Sequence, residues 1–347
     1  MKQRQLFWPE RLGYVEWRQG VLVGVTSGRA FLHQSSKLAA AAAIATVITA
    51  CSSPGGVSAI GPASSQVTAP NRIASAEGVS REAASSYIYT STKGAGVALY
   101  AYPQLSQLGS VSDSNAAAMC TDKHGNVYVA ESGASKLTEY AAGTLAVMRT
   151  LDDLNYTPVS CAIDPISGDL AVANSKGMDD GKPKPGSIAI FKKASGSPKI
   201  YKDKSIDSFA YCGYDLSGDF YADGIATDGS VVLAKLLGQS LQGLPIAGFT
   251  IAEPGAVAWD TLHRALLVSD NTGVLYRFYV SGGYAEYGGY IALHGASNVE
   301  SNVSFKEKFV AAATPTAVGV WEFPSGDGPK YTLDAANVVG VAFSTPK

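Results

Sequence analysis

A strand-turn-strand unit recurs about every 45 residues in the larger, C-terminal part of the chain. Each unit is an apolar segment ending at an aspartate, a turn that usually contains glycine, and a second apolar segment. The aspartates, separated by 42, 51 and 45 residues, are Asp122, Asp164, Asp215 and Asp260. All-strand repeats of this length are typical of β-propeller blades, each a small antiparallel sheet. The repeat therefore predicts an all-β fold.

Each unit continues into a third strand that ends in an aromatic residue and a glycine turn, and then into a shorter, more polar fourth strand. The predicted fourth strands are 147–151, 199–202, 290–293 and 330–333. Residues 299–333 give a fifth unit, in which Phe305 and Lys306 replace the apolar residue and its aspartate. Four strands joined by hairpin turns make one propeller blade.

The two ends of the repeat region complete a sixth blade. Residues 87–111 lack an inner strand, whereas residues 338–343 supply only an inner strand. We therefore predict a six-bladed propeller over 85–347, in which the C-terminal strand joins the N-terminal blade and removes exposed strand edges. The rival interpretation, a β-sandwich with an extra domain, does not account for matching turns at a fixed period.

Residues 1–50 are predicted to be an export signal. Residues 38–50 form an apolar run of 13 residues, which is shorter than the ~20 needed to span a membrane. Lys37 precedes the run and small residues end it, which is the plan of a secretory signal. Residues 1–36 are longer than the charged region that normally precedes the apolar run of a secretory signal. We therefore hypothesise that translation starts at a later codon, for example at Val25.

The end of this run, Ile48-Thr49-Ala50-Cys51, resembles the bacterial lipobox. The resemblance implies that Cys51 is acylated and anchors the protein in the bacterial cell envelope, at the outer membrane if the host has two membranes. The alternative is an ordinary cleaved signal with an incidental cysteine. Residues 51–84 are rich in Ser, Ala, Gly and Pro, which predicts a flexible tether.

Composition limits the possible partners. The formal charge is −2 and no basic run occurs, which argues against a nucleic-acid partner. Hydrophobic residues make up 46% of the chain, enough for a sizeable core. We expect a monomer.

Most cysteines, histidines and repeat aspartates have structural interpretations. Cys161 and Cys212 precede their aspartates by three residues and are interpreted as small apolar side chains on inner strands. A disulfide between them is the alternative, although equivalent positions on neighbouring blades are expected to exceed the ~7 Å Cα limit. Cys120 is offset by one residue and should face the other way. The recurring aspartates are expected to cap their turns, and His124 and His263 to be solvated turn residues.

Polar residues follow the second strands, at the face where propeller pockets open. A ring of carboxylates and amides there could bind a partner, sugar hydroxyls or a calcium ion, and Asp270 and Glu131 are the candidate metal ligands. The competing interpretation is that these residues cap turns. The candidate ligand-binding residues are Glu131, Asn174, Asp223, Asp270 and Asn271.

The run Gly125-Asn126-Val127-Tyr128-Val129-Ala130 resembles NHL-type and gluconolactonase-like six-bladed propellers, and the wider pattern resembles uncharacterised bacterial propeller lipoproteins. Among gluconolactonases, an asparagine of a Pro-Asn-Gly segment and a later aspartate bind the metal. Asp270 matches that aspartate, but Gly255 stands where the asparagine would be.

These patterns favour a non-catalytic binding platform, with a divalent-metal-dependent, lactonase-like hydrolase as the alternative. The sequence has no G-x-S-x-G, H-E-x-x-H or P-loop motif. Residues 176–185 form an insertion that is predicted to be a loop overhanging the binding face, where propellers commonly carry recognition.

Overall fold

The computed structural model describes residues 86–296, 299 and 302–346. These residues form six sheets arranged as a β-propeller, and their helical content is one short 3-10 turn, Lys192–Ala194. The predicted signal segment 1–50, the tether 51–84 and the acylation site Cys51 lie outside the described residues.

Blades 2, 3, 4 and 6 are antiparallel sheets of four strands that follow one another from the centre outwards, whereas blades 1 and 5 depart from this order as described below. The strands of the first three blades are β1 (Tyr87–Thr92), β2 (Gly96–Ala101), β3 (Gln107–Ser112), β4 (Ala116–Thr121), β5 (Val127–Glu131), β6 (Lys136–Tyr140), β7 (Val147–Asp152), β8 (Tyr156–Ile163), β9 (Leu170–Asp179), β10 (Lys182–Phe191) and β11 (Lys199–Tyr201). The remaining strands are β12 (Ile206–Tyr214), β13 (Phe220–Ala226), β14 (Val231–Leu237), β15 (Ser240–Leu244), β16 (Ile246–Ala247), β17 (Val257–Asp260), β18 (Ala265–Ser269), β19 (Val274–Ser281), β20 (Tyr284–Ala292), β21 (Ser304–Lys306), β22 (Phe309–Ala313), β23 (Ala317–Glu322), β24 (Pro329–Asp334) and β25 (Val338–Ser344).

The ring closes as predicted from the sequence. The last strand, β25, is the inner strand of blade 1 and pairs antiparallel with β1, placing Ala342 opposite Tyr89 and Val341 opposite Thr90. On its other side, Val341 and Phe343 pack against Val318 of blade 6. The pairing removes the free edge of β1 and makes β25 the inner strand of blade 1.

The hydrophobic core is divided among the seams between blades. Six clusters of buried apolar side chains each lie between two adjacent blades. Side chains of a strand alternate between the two faces of its sheet, so an inner blade strand must be apolar on both faces to fill two seams. Every residue of β5, Val127–Glu131, is accordingly buried.

Blade 5 differs from the predicted four strands. The two residues of β16 add a fifth strand that pairs parallel with β20, opposite Ala285 and Glu286. The long connection between β15 and β17 supplies this strand, which covers the outer edge of the blade.

The insertion 176–185 is a β-hairpin rather than the predicted loop, and we call it the arm. Strands β9 and β10 continue through it to a two-residue turn at Asp180 and Gly181, whose φ angles of 47° and 75° suit a type I′ hairpin. Pro183 and Pro185 are two residues apart and stand opposite Met178 and Lys176 at positions that alternate with the hydrogen-bonded ones. The ring nitrogens of both prolines, which lack a hydrogen, therefore face away from β9. The prediction was wrong because prolines on an outer edge do not interrupt pairing.

The strand order defines two faces of the ring. The face with the turns between first and second strands, for example 122–126, is called the hairpin face. The face where second strands end and the arm projects is called the mouth face. Chain direction follows from pairing: Tyr87 lies opposite Ser344, and Ser344 Oγ donates to the carbonyl of Gly125 in a hairpin-face turn. The described chain therefore starts and ends at the hairpin face.

Candidate functional site

An open pocket of about 200 Å³ lies on the mouth face over the inner strands of blades 3 to 5. We call it the mouth pocket, and its lining residues are Val159, Ser175, Ser208, Phe209, Ala210, Tyr211, Ile225 and Pro254. Five of these eight side chains are hydrocarbon or phenyl groups. A concave apolar surface with a few polar groups is the usual character of a recognition site.

The mouth pocket depends on an irregularity in β12. The pairing of β12 with β13 shifts register between Phe209 and Cys212, which leaves the N–H of Tyr211 outside the ladder. A β-bulge of this kind redirects side chains at a strand end. It places Phe209 and Tyr211 together in the pocket wall.

Asp223, a predicted ligand-binding residue, supports this bulge. Its Oδ1 accepts from Tyr211 N at 2.8 Å and its Oδ2 accepts from Gly255 N at 2.7 Å. The side chain is fully buried, and burial raises the pKa of its carboxyl to about 8 against the opposing effect of these two bonds. Asp223 thus ties blade 4 to the first residues of blade 5.

The glycine that distinguishes this chain from gluconolactonases has a steric reason. A Cβ on Gly255 would lie 2.3 Å from the carbonyl oxygen of Ser269, which is closer than atoms can approach. Position 255 therefore requires glycine in this backbone, and its N–H binds Asp223.

Asp270 caps a turn, as the competing interpretation of the sequence proposed. Its Oδ1 accepts from Thr272 N at 2.9 Å and Thr272 Oγ1 at 2.6 Å, and its Oδ2 accepts from Tyr276 Oη at 2.7 Å. The neighbouring Asn271 is exposed, and its carbonyl accepts from Val299 N. Both carboxylate oxygens of Asp270 therefore already have donors.

Glu131 is also engaged within its own blade. It accepts from Thr138 Oγ1 and lies 3.1 Å from Lys136 Nζ, although only 3% of the residue is exposed. It lines an open polar cleft of about 330 Å³ that also includes Asp113 and Asn115 of the preceding connection.

Asn174 is the predicted residue with unused bonding capacity. It is fully buried, and its Nδ2 donates to Ser187 Oγ at 3.3 Å, while its Oδ1 has no partner among the described residues. The side chain lies beside the Asp153 carboxyl, an acid that sequence analysis did not single out.

Asp153 carries a buried carboxyl group whose oxygens lack a well-aligned hydrogen-bond donor in the described part of the chain, although the Asn174 amide lies close enough to stabilise the anion. Burial raises its pKa to about 8, and neighbouring Asp152 acts in the same direction, whereas Asn174 and Lys184 oppose the shift. Such a group is costly to hold as an anion away from water.

The local turn explains why Asp153 points inward. At the equivalent position of other blades, Asp113 and Asp203 each accept the N–H two residues on, at 2.9 and 2.8 Å. In blade 2, the preceding residue Asp152 makes the corresponding bond instead, because its carboxylate accepts from Leu154 N at 2.9 Å. The doubled aspartate at 152–153 was the sequence signal that could have revealed this site.

The arm rests on this region. Met178 N donates to the carbonyl of Asn155 at 3.0 Å, and Lys184 Nζ lies 4.0 Å from the centre of the Tyr156 ring. A Cβ on Gly177 would lie 2.6 Å from that ring, so the arm can cross it closely only because residue 177 is glycine.

The cysteine pairing corrects the sequence analysis. Cys120 and Cys161 form a disulfide with their Cα atoms 5.6 Å apart, and Cys212 is free and buried. Cys161 and Cys212 pack toward the preceding blade. Cys120, offset by one residue, faces the following blade as expected, and this brings it to Cys161. Cys212 has no such partner because Ala162 occupies the position equivalent to Cys120.

The repeat aspartates cap their hairpin-face turns, as predicted. Asp122 Oδ1, for example, accepts from His124 N and Asn126 N at 2.8 and 2.9 Å. His124 is exposed, whereas His263 differs from a simply solvated residue because its Nδ1 lies 2.6 Å from Asp260 Oδ2.

Among the residues with described positions, no group of three or more His, Cys, Asp or Glu side chains could hold a metal ion. Within the same residues, no helix is long and apolar enough to cross a membrane.

Comparison with solved structures supports the fold alone. A chain of the nidogen/laminin complex superimposes with a TM-score of 0.59 at 11% identity, over 76% of this chain and 99% of that one. A protein of unknown function from Bacteroides caccae superimposes with a TM-score of 0.57 at 9% identity, over 75% and 98% of the two chains. No family model matches the sequence. No curated protein matches it either.

Proposed function

We propose that this protein is an exported, lipid-anchored binding platform whose mouth face meets its partner. The observation that supports the proposal is the position of residue 86, the first described residue: it lies at the hairpin face, opposite the mouth pocket and the arm. An anchored propeller attached from that side presents its mouth face away from the membrane.

The attachment point is defined by contacts of Ser86. Its carbonyl accepts from Tyr102 N at 3.0 Å, and its Oγ accepts from Lys306 Nζ at 2.6 Å, next to the hairpin-face turn of blade 6. A flexible tether over 51–84 would have a root-mean-square reach of about 30 Å. The ring could then lie near the bilayer with its mouth free.

Export is supported by the Cys120–Cys161 disulfide. Disulfides persist in oxidising compartments such as the bacterial periplasm and the cell surface, and they are rare in the cytosol. The disulfide links the inner strands of blades 2 and 3, beside the blades that form the mouth pocket.

The mouth pocket favours a polypeptide partner that inserts an apolar side chain. Its volume of about 200 Å³ suits one such side chain, and the arm beside it offers both lysines and acids, namely Lys176, Asp179, Asp180 and Lys182. An apolar anchor in a pocket surrounded by a polar rim is the common arrangement of protein interfaces.

Lactone hydrolysis has less support. Both carboxylate oxygens of Asp270 accept from Thr272 or Tyr276, and Gly255 stands in place of the second metal ligand that the gluconolactonase resemblance implies. The two predicted metal ligands, Asp270 and Glu131, have partners within their own blades: Thr272 and Tyr276 for Asp270, and Thr138 and Lys136 for Glu131.

Site-specific photo-crosslinking tests the platform. A photoreactive phenylalanine analogue at Ser175 or Ile225, in the full chain in its host, should yield a discrete protein adduct, and the same analogue at His124 should not. Ile225→Glu combined with the Ser175 probe should abolish the adduct. Adducts of equal yield from His124, or none from either mouth position, would refute a partner-binding mouth.

A further inference from the structure

The hairpin face carries exposed aliphatic side chains at the tips of three consecutive inner turns. The exposed fractions are 68% for Ile166 of blade 3, 55% for Leu216 of blade 4 and 66% for Leu262 of blade 5. These turns adjoin one another, since a Cβ on Gly218 would lie 3.1 Å from Asp164 Oδ1 of the preceding turn. Clustered exposed apolar side chains mark interaction surfaces, whereas isolated ones are normal.

The surface extends outward on the same side of blades 4 and 5. Leu237 lies at the turn between β14 and β15, and Tyr284 lies after the turn between β19 and β20; they are 41% and 47% exposed. Turns between third and fourth strands lie on the hairpin face, like those between first and second strands. Tyrosine is enriched where proteins meet the headgroup region of a bilayer.

Basic groups flank these apolar tips. Lys192 and Lys193 are exposed at the outer turn of blade 3, and Arg264 is exposed beside Leu262. Acids of the same inner turns have partners of their own: Asp164 Oδ1 accepts from Ile166 N at 2.8 Å, and Asp219 lies 2.7 Å from Lys235 Nζ. Aliphatic tips with flanking cations match the interface of a membrane that contains anionic lipids.

We propose that the hairpin face of blades 3 to 5 docks onto a phospholipid surface, with Ile166, Leu216 and Leu262 inserted among the acyl chains. The described chain begins on this face, so a predicted acylated tether would hold this face toward the bilayer. This orientation rests on the proposed function, but the lipid contact itself is testable without the anchor.

Vesicle co-sedimentation provides the test. The full chain carrying Cys51→Ser, which removes the predicted acylation site, is mixed with sucrose-loaded vesicles of phosphatidylethanolamine and phosphatidylglycerol. Replacing Ile166, Leu216 and Leu262 together by serine should lower its partition roughly tenfold or more. Residues 38–50 are the same in all variants, so any contribution of this apolar segment to vesicle binding is equal in all of them.

The matched control is Leu154→Ser with Met178→Ser, which removes two exposed apolar side chains from the mouth face and should leave partition unchanged. Hydrogen exchange provides a second measurement: vesicles should slow exchange at 164–168, 215–218 and 260–264 but not in the arm. Unchanged partition of the triple variant, equal loss in the control, or protection confined to the arm would overturn the proposal. Absence of an acyl group at Cys51, measured by mass spectrometry of the wild type, would instead refute only the anchor.

Discussion

Replacing Asp153 by asparagine should stabilise the protein at alkaline pH. The Asp153 carboxyl is fully buried without a well-aligned donor, and its pKa is raised from the ordinary 3.8 to about 8, chiefly by burial. Asparagine has nearly the same shape and no charge. Its amide N–H can donate to the unpartnered Oδ1 of the adjacent Asn174.

The sign of the effect follows from proton binding. Between pH 4 and pH 8 the folded chain holds a proton on Asp153 that the unfolded chain has released. The contribution of this group to the free energy of unfolding is therefore fully present below pH 4 and is lost as pH rises through 8. A rise of about four pKa units corresponds to a loss of roughly 5 kcal/mol. Asp153→Asn should remove this loss.

Urea unfolding of wild type and variant at pH 5, 7 and 9 measures the effect. The variant should exceed the wild type in stability by about 2 kcal/mol at pH 5 and by roughly 5 kcal/mol at pH 9. Asp152→Asn is the comparison variant: it removes an exposed carboxylate that also raises the Asp153 pKa, so it should lessen the wild-type pH slope, but far less than Asp153→Asn does. If Asp153→Asn keeps the wild-type pH slope, the buried anion assigned to this position is wrong.

Three further substitutions test contacts between blades by urea unfolding. Cys120→Ser with Cys161→Ser opens a link of sequence separation 41 and should cost about 4 kcal/mol, and a loss below 1 kcal/mol would contradict the disulfide. Asp223→Ala should cost about 2 to 4 kcal/mol by leaving the N–H groups of Tyr211 and Gly255 unpaired, whereas Asp223→Asn should retain one bond and lose less. Gly255→Ala should cost at least about 2 kcal/mol through the backbone clash, and an unchanged midpoint would refute the close approach.

The sequence predicted the architecture because propeller patterning is local. Inner strands must be apolar on both faces to fill two seams, and four of the inner turns use an aspartate to bind their N–H groups, so the repeat at Asp122, Asp164, Asp215 and Asp260 is visible without a structure. Ring closure by residues 338–343 could be predicted by counting strands. The first blade of the repeat region lacks an inner strand, and the last segment of that region is a single inner strand.

The candidate site was less predictable, because it depends on which way individual side chains turn. Asp223 and Asp270 have the residue type and position of ligands, yet backbone and hydroxyl donors occupy their oxygens. The mouth pocket arises from a bulge in β12 that has no sequence marker, and the arm pairs because its prolines happen to fall on the outward edge.

The sequence by itself determined the number of blades, the closing strand and the capped turns, since these depend on periodicity and short-range hydrogen bonds. Only the tertiary structure decided that Cys120 meets Cys161, that the Asp153 carboxyl is buried, and that β1 begins on the same face as Ile166, Leu216 and Leu262. Those facts depend on how neighbouring blades are placed around the ring. That placement is set by packing between residues distant in sequence, which no local pattern records.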